Sequence, residues 1–588
     1  MTGIISFTST EFHLNNRLLA WCLVLGMGGL LVISQAYASP ADTLTPPELE
    51  GKIFAGYQGW FDTPNDGIGW GWGHWGVPAP HTLDVDNWPD ISEYPPNSLM
   101  DSGLTMQNGQ PAKLFSSVDP QITDLHVKWM KDYGIDGAFL QWFVGNDGKQ
   151  LGPTGLDKML NNRTRLLENF RTSTEKYGRK FAITFDVSGI EKSPYSYDNR
   201  AALSPGLPKF AAGSINLKAG QSKVTDLGTL AMQTDGNLVF YDVNKKPLWA
   251  SNTARKTFSG DYQAKFQGDG NLVLYQGSIP YWASNTTGHQ NSDLTLCGVK
   301  PYLSIIERTA NLVVWPLAPE RYNVDLCLTE RWKYLVDTLH ITESSSYLKA
   351  NGKPLLEIWG FGFTDRHVNP EQAMKTIKWF THDAPPKYRV TLMGGVPRYW
   401  RTRVKDAQPD PAWAAVYRSF DIISPWRAGD YNNQDEARQA IRTTAAGDVA
   451  ALRGTGQGYM PVIFPGFSCQ CWPNWRNDPS LKHLNVAPRM GGKFMWTQAF
   501  EFSRLGVQTM YVGMFDEMSE GTAILKLAPT AATTPGGCHI VAMDADGFHL
   551  PSDWYLQVSR AISDLLKANK LFTAPNLPIH NTTDADSP

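Results

Sequence analysis

The sequence predicts an α/β protein, a (β/α)8 TIM-like barrel interrupted by an inserted all-β domain. Three observations predict it. Apolar strand-length runs alternate with helix-length segments over about 400 residues, the pattern of a parallel sheet or barrel. That alternation stops near residue 201 and resumes in kind after residue 327. Between the two halves lies a period-two repeat rich in turn residues, which reads as β-strands. A chain of 588 residues holds two or three domains, at about 100 to 200 residues each and up to about 250 for a barrel. The predicted domains are a leader over 1–38, a discontinuous barrel over 45–200 and 328–572, and the insertion over 201–327.

In the leader, Arg17 precedes an apolar run over 18–33, and Ala36-Tyr37-Ala38 is followed by Ser39 and Pro40. Positive end, short apolar core and A-x-A site make a signal peptide cut after Ala38; the alternative is an uncleaved anchor, the run being just short of a span. Export, to the medium or a periplasm, with no membrane contact after cleavage, is the expectation. Export permits disulfides. Five cysteines remain after cleavage, Cys297, Cys327, Cys469, Cys471 and Cys538, an odd number that leaves a thiol over. Cys297 with Cys327 is the preferred pair, while Cys469 and Cys471 bridge each other or one of them reaches Cys538. No spacing of Cys and His makes a zinc site, and no metal or cofactor is expected. A net charge of -3 argues against nucleic acid, whose binders carry clustered Lys and Arg. With 21 tryptophans and 12% aromatic residues, many of them beside glycine, the chain suits a partner with flat apolar faces and many hydroxyls, a polysaccharide or glycan.

In the first half, segments 121–133 and 158–177 read as helices, and 52–57, 133–142 and 181–186 as strands with polar ends. Working groups of a barrel sit at the C-terminal ends of its strands. Those ends carry Gln58 and Trp60, Gln141 and Trp142, and Asp186 and Ser188. Between them the run Gly69-Trp70-Gly71-Trp72-Gly73-His74-Trp75-Gly76 has too much glycine for a helix and too much tryptophan for a solvated linker. It is predicted as a loop at the barrel mouth in which Trp70 and Trp72 stack on sugar; the competing reading is a packed plug. His74 alone reads as a structural hydrogen-bonding group.

The insertion contains two similar units thirty-four residues apart. Met232-Gln233-Thr234-Asp235-Gly236-Asn237-Leu238-Val239-Phe240-Tyr241 is matched by Phe266-Gln267-Gly268-Asp269-Gly270-Asn271-Leu272-Val273-Leu274-Tyr275, and each is followed by Trp-Ala-Ser-Asn-Thr. The alternation puts Gln, Asp, Asn, Val and Tyr on one strand face, and Asp-Gly marks a turn. These residues resemble the bulb-type lectins, whose Q-x-D-x-N-x-V-x-Y strands build a three-sided β-prism with a mannose site on each side. The resemblance implies sugar contacts at Gln233, Asp235, Asn237 and Tyr241, and at Gln267, Asp269, Asn271 and Tyr275. Gln, Asp and Asn together can donate to and accept from paired sugar hydroxyls. A third unit is aligned on Glu307, Thr309, Asn311, Val313 and Trp315, which departs at three of five places and is not expected to bind.

In the second half, 332–339, 370–381, 435–453, 491–505 and 552–567 read as helices. Strand ends carry Glu357 and Trp359, Ser424 and Trp426, and then Asp516 and Glu517 after an apolar run over 509–515. Trp60, Trp70, Trp72, Trp142, Asp186, Glu357 and Trp359 are the candidate substrate-binding set. Met543-Asp544-Ala545-Asp546-Gly547 is half of a calcium loop and reads as a turn. Glu517 and Glu520 stand three apart at the last strand end. On a helical turn their Cβ atoms would lie about 5 to 6 Å apart, near the roughly 5 to 5.5 Å carboxyl separation of retaining glycosidases. Spacing alone fits a cap or a salt bridge as well.

The segment Phe515-Asp516-Glu517-Met518-Ser519-Glu520-Gly521-Thr522 resembles the Asn-Glu-Trp-His-Glu-Gly-Thr motif of glycoside hydrolase family 99, the endo-α-mannosidases, and the surrounding strands resemble the wider family 71 and 99 group. Both glutamates, Gly521 and Thr522 match; Asp516, Met518 and Ser519 depart. The resemblance implies a retaining hydrolase in which Glu517 deprotonates the sugar 2-hydroxyl and Glu520 is acid and then base. The expectation is a secreted glycosidase acting on α-linked mannan or mannose-containing glycans and targeted by its lectin. The alternatives are a non-catalytic carbohydrate-binding or adhesion protein, or a glycosidase on α-glucan or arabinoxylan.

Overall fold

The computed structural model describes residues 44–77, 82–144, 152–188, 206–254, 261–297, 302–308, 312–315, 324–366, 368–472, 475, 477–536 and 539–579. The predicted signal peptide with its expected cleavage site, Thr309, Asn311 and Cys538 lie outside them, as does the side chain of Cys327. Cys297, Cys469 and Cys471 are buried free thiols, so the bridge between Cys469 and Cys471 is not formed. Among the described residues no helix is long and apolar enough to cross a membrane.

The chain is α/β, built on one parallel sheet. Its strands are β1 (Lys52–Tyr57), β2 (Gly137–Phe143), β3 (Lys180–Asp186), β4 (Lys353–Trp359), β5 (Thr391–Val396), β6 (Ile422–Pro425), β7 (Gly458–Tyr459), β8 (Val462–Ile463) and β9 (Thr509–Val512). They lie in the order β7-β6-β5-β4-β3-β2-β1-β9-β8. The outermost strands, β7 and β8, are separated in sequence by Met460 and Pro461 alone. β5 and the 458–463 segment were not read as strands from the sequence. β5 is half glycine and methionine by pattern, and a proline divides the other.

Helices pack on this sheet: α1 (Pro120–Asp132), α2 (Gly152–Tyr177), α3 (Val324–Asp337), α4 (Pro370–Lys378), α5 (Gln434–Ala440), α6 (Lys493–Arg504) and α7 (Trp554–Lys567). Their starts are chemically marked. Asp119 accepts from Gln121 N ahead of Pro120, Asn369 and Gln372 form a reciprocal capping box, and Asn433 accepts from Asp435 N and Glu436 N; such caps satisfy donors the helix itself leaves open. The predicted helix over 435–453 is α5 continued through a π-helical stretch, Ile441–Ala445, into Ala446–Leu452. The long apolar core runs from Leu44, ahead of β1, to Leu571 near the end of the chain. Gly137 is required where β2 meets β3, because a Cβ there would lie 2.1 Å from Lys180 O.

Between β3 and α3 the chain forms three four-stranded antiparallel sheets. Their second and third strands are the hairpins Gly228–Met232 with Leu238–Tyr241, Tyr262–Phe266 with Leu272–Gln276, and Ser292–Leu296 with Leu303–Glu307. Each hairpin sends alternate residues inward to a shared core, Leu230, Met232, Leu238 and Phe240 from the first, Phe266, Leu272 and Leu274 from the second, Leu294, Leu296, Leu303 and Ile305 from the third. The sequence alignment of the third unit is corrected here. Glu307 to Trp315 belongs to the next hairpin, whose outer strand is Leu312–Trp315. The true counterpart is the loop 297–302, where Cys297 N donates to Tyr302 O as Gln233 N does to Asn237 O and Gln267 N to Asn271 O. That loop is one residue longer than 233–237, and Cys297 and Tyr302 stand in the places of Gln and Asn.

Candidate functional site

β9 ends at Val512, and the chain then crosses the sheet end through Phe515, whose N–H donates to Gly56 O. Glu517 follows at the start of a hydrogen-bonded turn over 518–521, not on a helix. Its own carboxylate closes that turn: Oε1 accepts from Ser519 N at 2.9 Å and from Glu520 N at 3.3 Å. Oε2 accepts from Gln58 Nε2 at 3.0 Å. Gly521 has φ of +62°, and a Cβ there would meet Ser468 Cβ at 2.8 Å, which accounts for glycine after the second glutamate.

Glu517 is buried, at 2% exposure, and Glu520 is half-buried. Both face a cavity of about 240 Å³ lined by Trp60, His74, Asp84, Trp472, Glu517, Ser519 and Glu520. Burial, then the charges of Glu520 and Asp516, raises the Glu517 carboxyl; burial pushes Glu520 up to about 7. Both shifts favour the protonated form of a carboxyl. Three donors point at Glu517, while among the described residues none donates to the Glu520 carboxyl. Hydrogen bonds to a carboxylate favour its ionised form, so those on Glu517 oppose the burial and the neighbouring charges that raise its carboxyl. An anionic base beside a protonated acid is what acid-base cleavage of a glycosidic bond needs.

Groups distant in sequence hold this turn; Gln58 and Asp516 were marked in the sequence as strand ends, while Arg163, Arg489 and Asp86 were not found there. Asp516 accepts from Gln58 N at 2.7 Å and Gly59 N at 2.8 Å, and burial pushes its carboxyl up to about 6. Buried Arg163 donates to Gln58 O at 2.6 Å, fixing the same β1 end from the α2 side. Buried Arg489 donates to Gly521 O at 2.7 Å, Ala523 O at 2.8 Å and Asn87 Oδ1 at 2.8 Å. Asp86 accepts from Gln470 N and Cys471 N, so the Cys469 to Cys471 segment is tied down by a carboxylate rather than by a disulfide. Asp544 and Asp546, the half calcium loop, are engaged by Ala531 N, Asn485 Nδ2 and Met490 N.

The aromatic candidates separate. Trp60 lines the cavity, stacked between His74 at 3.9 Å and Phe143 at 5.4 Å. Trp472, not chosen from the sequence, lines it too, and is stacked on Trp475 at 5.3 Å, which lies on His483 at 4.1 Å. Two flat aromatic tiers thus border the acid pair. His74, read as a structural group, is one of them. Trp70 and Trp72 rest half-buried against the main core and are outside the lining of this cavity. Trp142 is corrected. Strand residues alternate sides; Gln141 points inward to Asp186 at 2.7 Å, so Trp142 points outward, 2% exposed, beneath Arg331 of α3.

Asp186, Glu357 and Trp359 form a neighbouring cluster on β3 and β4 outside the cavity lining. Asp186 accepts from Gln141 Nε2 and Ser188 N, and Glu357 from Thr184 Oγ1 at 2.6 Å. Burial pushes Glu357 up to about 8 and raises Asp186. Trp359 packs on Phe363 at 4.9 Å and edge-on to Trp426 at 5.7 Å. The Tyr511 hydroxyl, buried on β9, feels Glu357, Asp186 and Asp516 together.

In the all-β part, the two matching units build the same network twice. Gln233 Nε2 donates to Tyr241 OH at 2.6 Å and Gln267 Nε2 to Tyr275 OH at 2.9 Å. Asp235 Oδ1 accepts from Asn237 N and Asp269 Oδ1 from Asn271 N, both at 3.0 Å. Asn237 Oδ1 accepts from Ser251 Oγ and Thr253 N, and Asn271 Oδ1 from Ser284 Oγ and Thr286 N. Gln233 to Asn237 and Gln267 to Asn271 are hairpin loops rather than strand, so only Val and Tyr of each motif lie on the strand itself. Those bonds leave out the second Asp oxygen, the Asn Nδ2, the Gln Oε1 and the Tyr hydroxyl proton, a mixed donor and acceptor set.

No protein-family model matches the chain. A mannose-specific lectin from Aloe arborescens is 42% identical over 55 residues, 9% of this chain and 48% of that protein. The chain thus spans about half the length of the curated relative it matches. Among solved structures, a GH99 endo-α-mannosidase from Bacteroides thetaiotaomicron is similar at 12% identity, over 89% of this chain and 99% of that one, with a TM-score of 0.45. A monomeric mannose-binding lectin from Gastrodia elata is similar at 37% identity, over 18% of this chain and 93% of that one, with a TM-score of 0.16.

Proposed function

We propose that this chain is an exported retaining glycoside hydrolase acting on α-linked mannan or mannose-containing glycans, with the inserted prism holding the enzyme to mannose. The observation that carries the reading is the acid pair: Glu517, held by three hydrogen bonds, and Glu520 face one cavity bordered by Trp60 and Trp472, and the proposal assigns the base to Glu517 and the acid to Glu520. The parallel sheet is read as a closed (β/α)8 barrel. The 458–463 segment supports closure, since Met460 N donates to Ile423 O of β6 while Pro461 O accepts from Tyr511 N of β9. Glu517 then sits at the C-terminal mouth, where barrels carry their chemistry.

In the first step Glu517 takes the proton of the sugar 2-hydroxyl, O2 closes on C1, the C1–O bond to the leaving sugar breaks, and Glu520 protonates the leaving oxygen. In the second, Glu520 takes a proton from water attacking C1, the O2–C1 bond opens, and Glu517 returns its proton to O2. Configuration at C1 is retained. Trp472, stacked on Trp475 by one face, offers the other to a sugar beside the bond, while Trp60, covered by His74 and Phe143, borders the cavity with its ring edge. Mannose as the prism ligand is supported by the two intact polar networks and by the identity with the Aloe lectin segment.

The test is incubation of the mature protein with α-mannans, α-glucans and arabinoxylans, reading released sugars by mass and anomeric configuration by NMR. Release from mannan with retention is expected. Release only from another polymer would move the substrate, and no release from any of them would leave a binding protein.

A further inference from the structure

The two prism sites share their polar motif, but the strands beside them differ in kind. In the first unit, Thr229 pairs with Tyr241 and Ala231 with Val239, and the next strand adds Val224 and Ser222. In the second, Gln263 pairs with Tyr275 and Lys265 with Val273, and the next strand adds Lys218 and Asn216. The same four positions are therefore small or apolar at one site and long or charged at the other. The consequence is visible in the packing. Beside Gln233 and Tyr241 lies a cleft of about 720 Å³ reaching past Ala231 and Thr229 to Val224, Val243 and Lys245. That is about three times the 240 Å³ over the acid pair, and within the roughly 300 to 1,000 Å³ of ordinary ligand clefts. Beside Tyr275 the equivalent space is entered by Lys265, whose Nζ stands over the Tyr275 ring at 5.5 Å, while Gln263 Nε2 is bonded to Gly277 O at 3.0 Å.

We infer that the two sites have different ligands: the Gln233–Tyr241 site takes a neutral oligosaccharide of two or more sugars, and the Gln267–Tyr275 site takes one sugar ring. The inference rests on the lectin reading of the prism. At the first site the polar set grips one ring and the cleft receives the next, its C–H faces lying on Val224 and Val243, which are 72% and 68% exposed. Solvated valines on a sheet face gain most from an apolar sugar face laid over them. At the second site Lys265 fills the place of that next ring. Ala231 and Lys265 are thus the residues that set ligand length.

The test measures binding of methyl α-mannoside and of α-linked mannobiose to the full chain by calorimetry. Asn271→Ala leaves the first site and Asn237→Ala leaves the second. With the first site alone, mannobiose is expected to bind at least about tenfold tighter than the monosaccharide; with the second alone the two should agree within about twofold. Ala231→Lys should remove the tenfold preference, and Lys265→Ala should create one in the Asn237→Ala background. Both exchanges lie on a solvated sheet face and leave the core untouched. Equal preference at both sites, or preference insensitive to these exchanges, overturns the inference alone. No binding of either sugar to the unaltered protein overturns the lectin reading with it.

Discussion

Glu517 has two structural loyalties, and that decides how its variants should be read. Its carboxylate closes the 518–521 turn and also faces the cavity, so a capping role and the proposed catalytic one fall on the same atoms. Glu520 carries no such bond among the described residues, and its Gln variant isolates chemistry from architecture more cleanly. Its carboxyl, pushed up to about 7 by burial, is acid-competent below that value. The rate should fall about tenfold per pH unit above about 7, measured as kcat/KM against pH; a flat alkaline limb would remove Glu520 as the proton donor. The same shift predicts a stability signature. A carboxyl raised in the folded state binds its proton more tightly there, so its contribution is present at low pH and lost as pH rises through about 7. Glu520→Gln should therefore raise Tm over the unaltered protein at about pH 8, with a smaller difference at about pH 5. Equal melting at both would show Glu520 to be an ordinary solvated carboxylate.

At the scale of elements, the acidic turn is a small device assembled from afar. Arg489 ties the Gly521 and Ala523 carbonyls, Gln58 and Gly59 anchor Asp516, and Gly521 alone fits against Ser468. Gly521→Ala should cost about 1 to 3 kcal/mol of stability from its backbone conformation alone, read by denaturant unfolding, and should depress turnover with it. Unchanged stability would mean that the turn relaxes freely.

Local motifs were legible in the sequence: the glutamate pair, and the Q-x-D-x-N units down to their repeated partners. Arg489 and Arg163 were not, and Gln58 was marked only as a strand end, since the contacts that hold the turn span up to 459 residues. Trp142 was misplaced because a strand apolar on both faces apart from Gln141 does not reveal which phase faces inward; only the bond from Gln141 to Asp186 does. The third prism unit was misaligned because its loop is one residue longer and has lost Gln and Asn together.

For the whole molecule, a parallel sheet and a three-sheet prism divide the work proposed for the chain. The alternation of strands and helices before and after the prism was readable because apolar strands and capped amphipathic helices carry their own periods; the short 458–463 strand was not, because Pro461 interrupts it. If the prism serves only to tether, the double variant Asn237→Ala with Asn271→Ala should lose retention on immobilised mannan while hydrolysing a short soluble mannoside at an unchanged rate. A matching loss of soluble activity would instead make the prism part of the catalytic apparatus.

The central claim is that Glu517 and Glu520 cleave a glycosidic bond. It is met most directly by timing hydrolysis of α-mannan by the unaltered protein beside Glu520→Gln and Glu517→Gln, each verified as folded by its melting curve. The account predicts release by the unaltered protein and a fall of about 10²-fold or more in each variant; hydrolysis at the original rate in either one would contradict it.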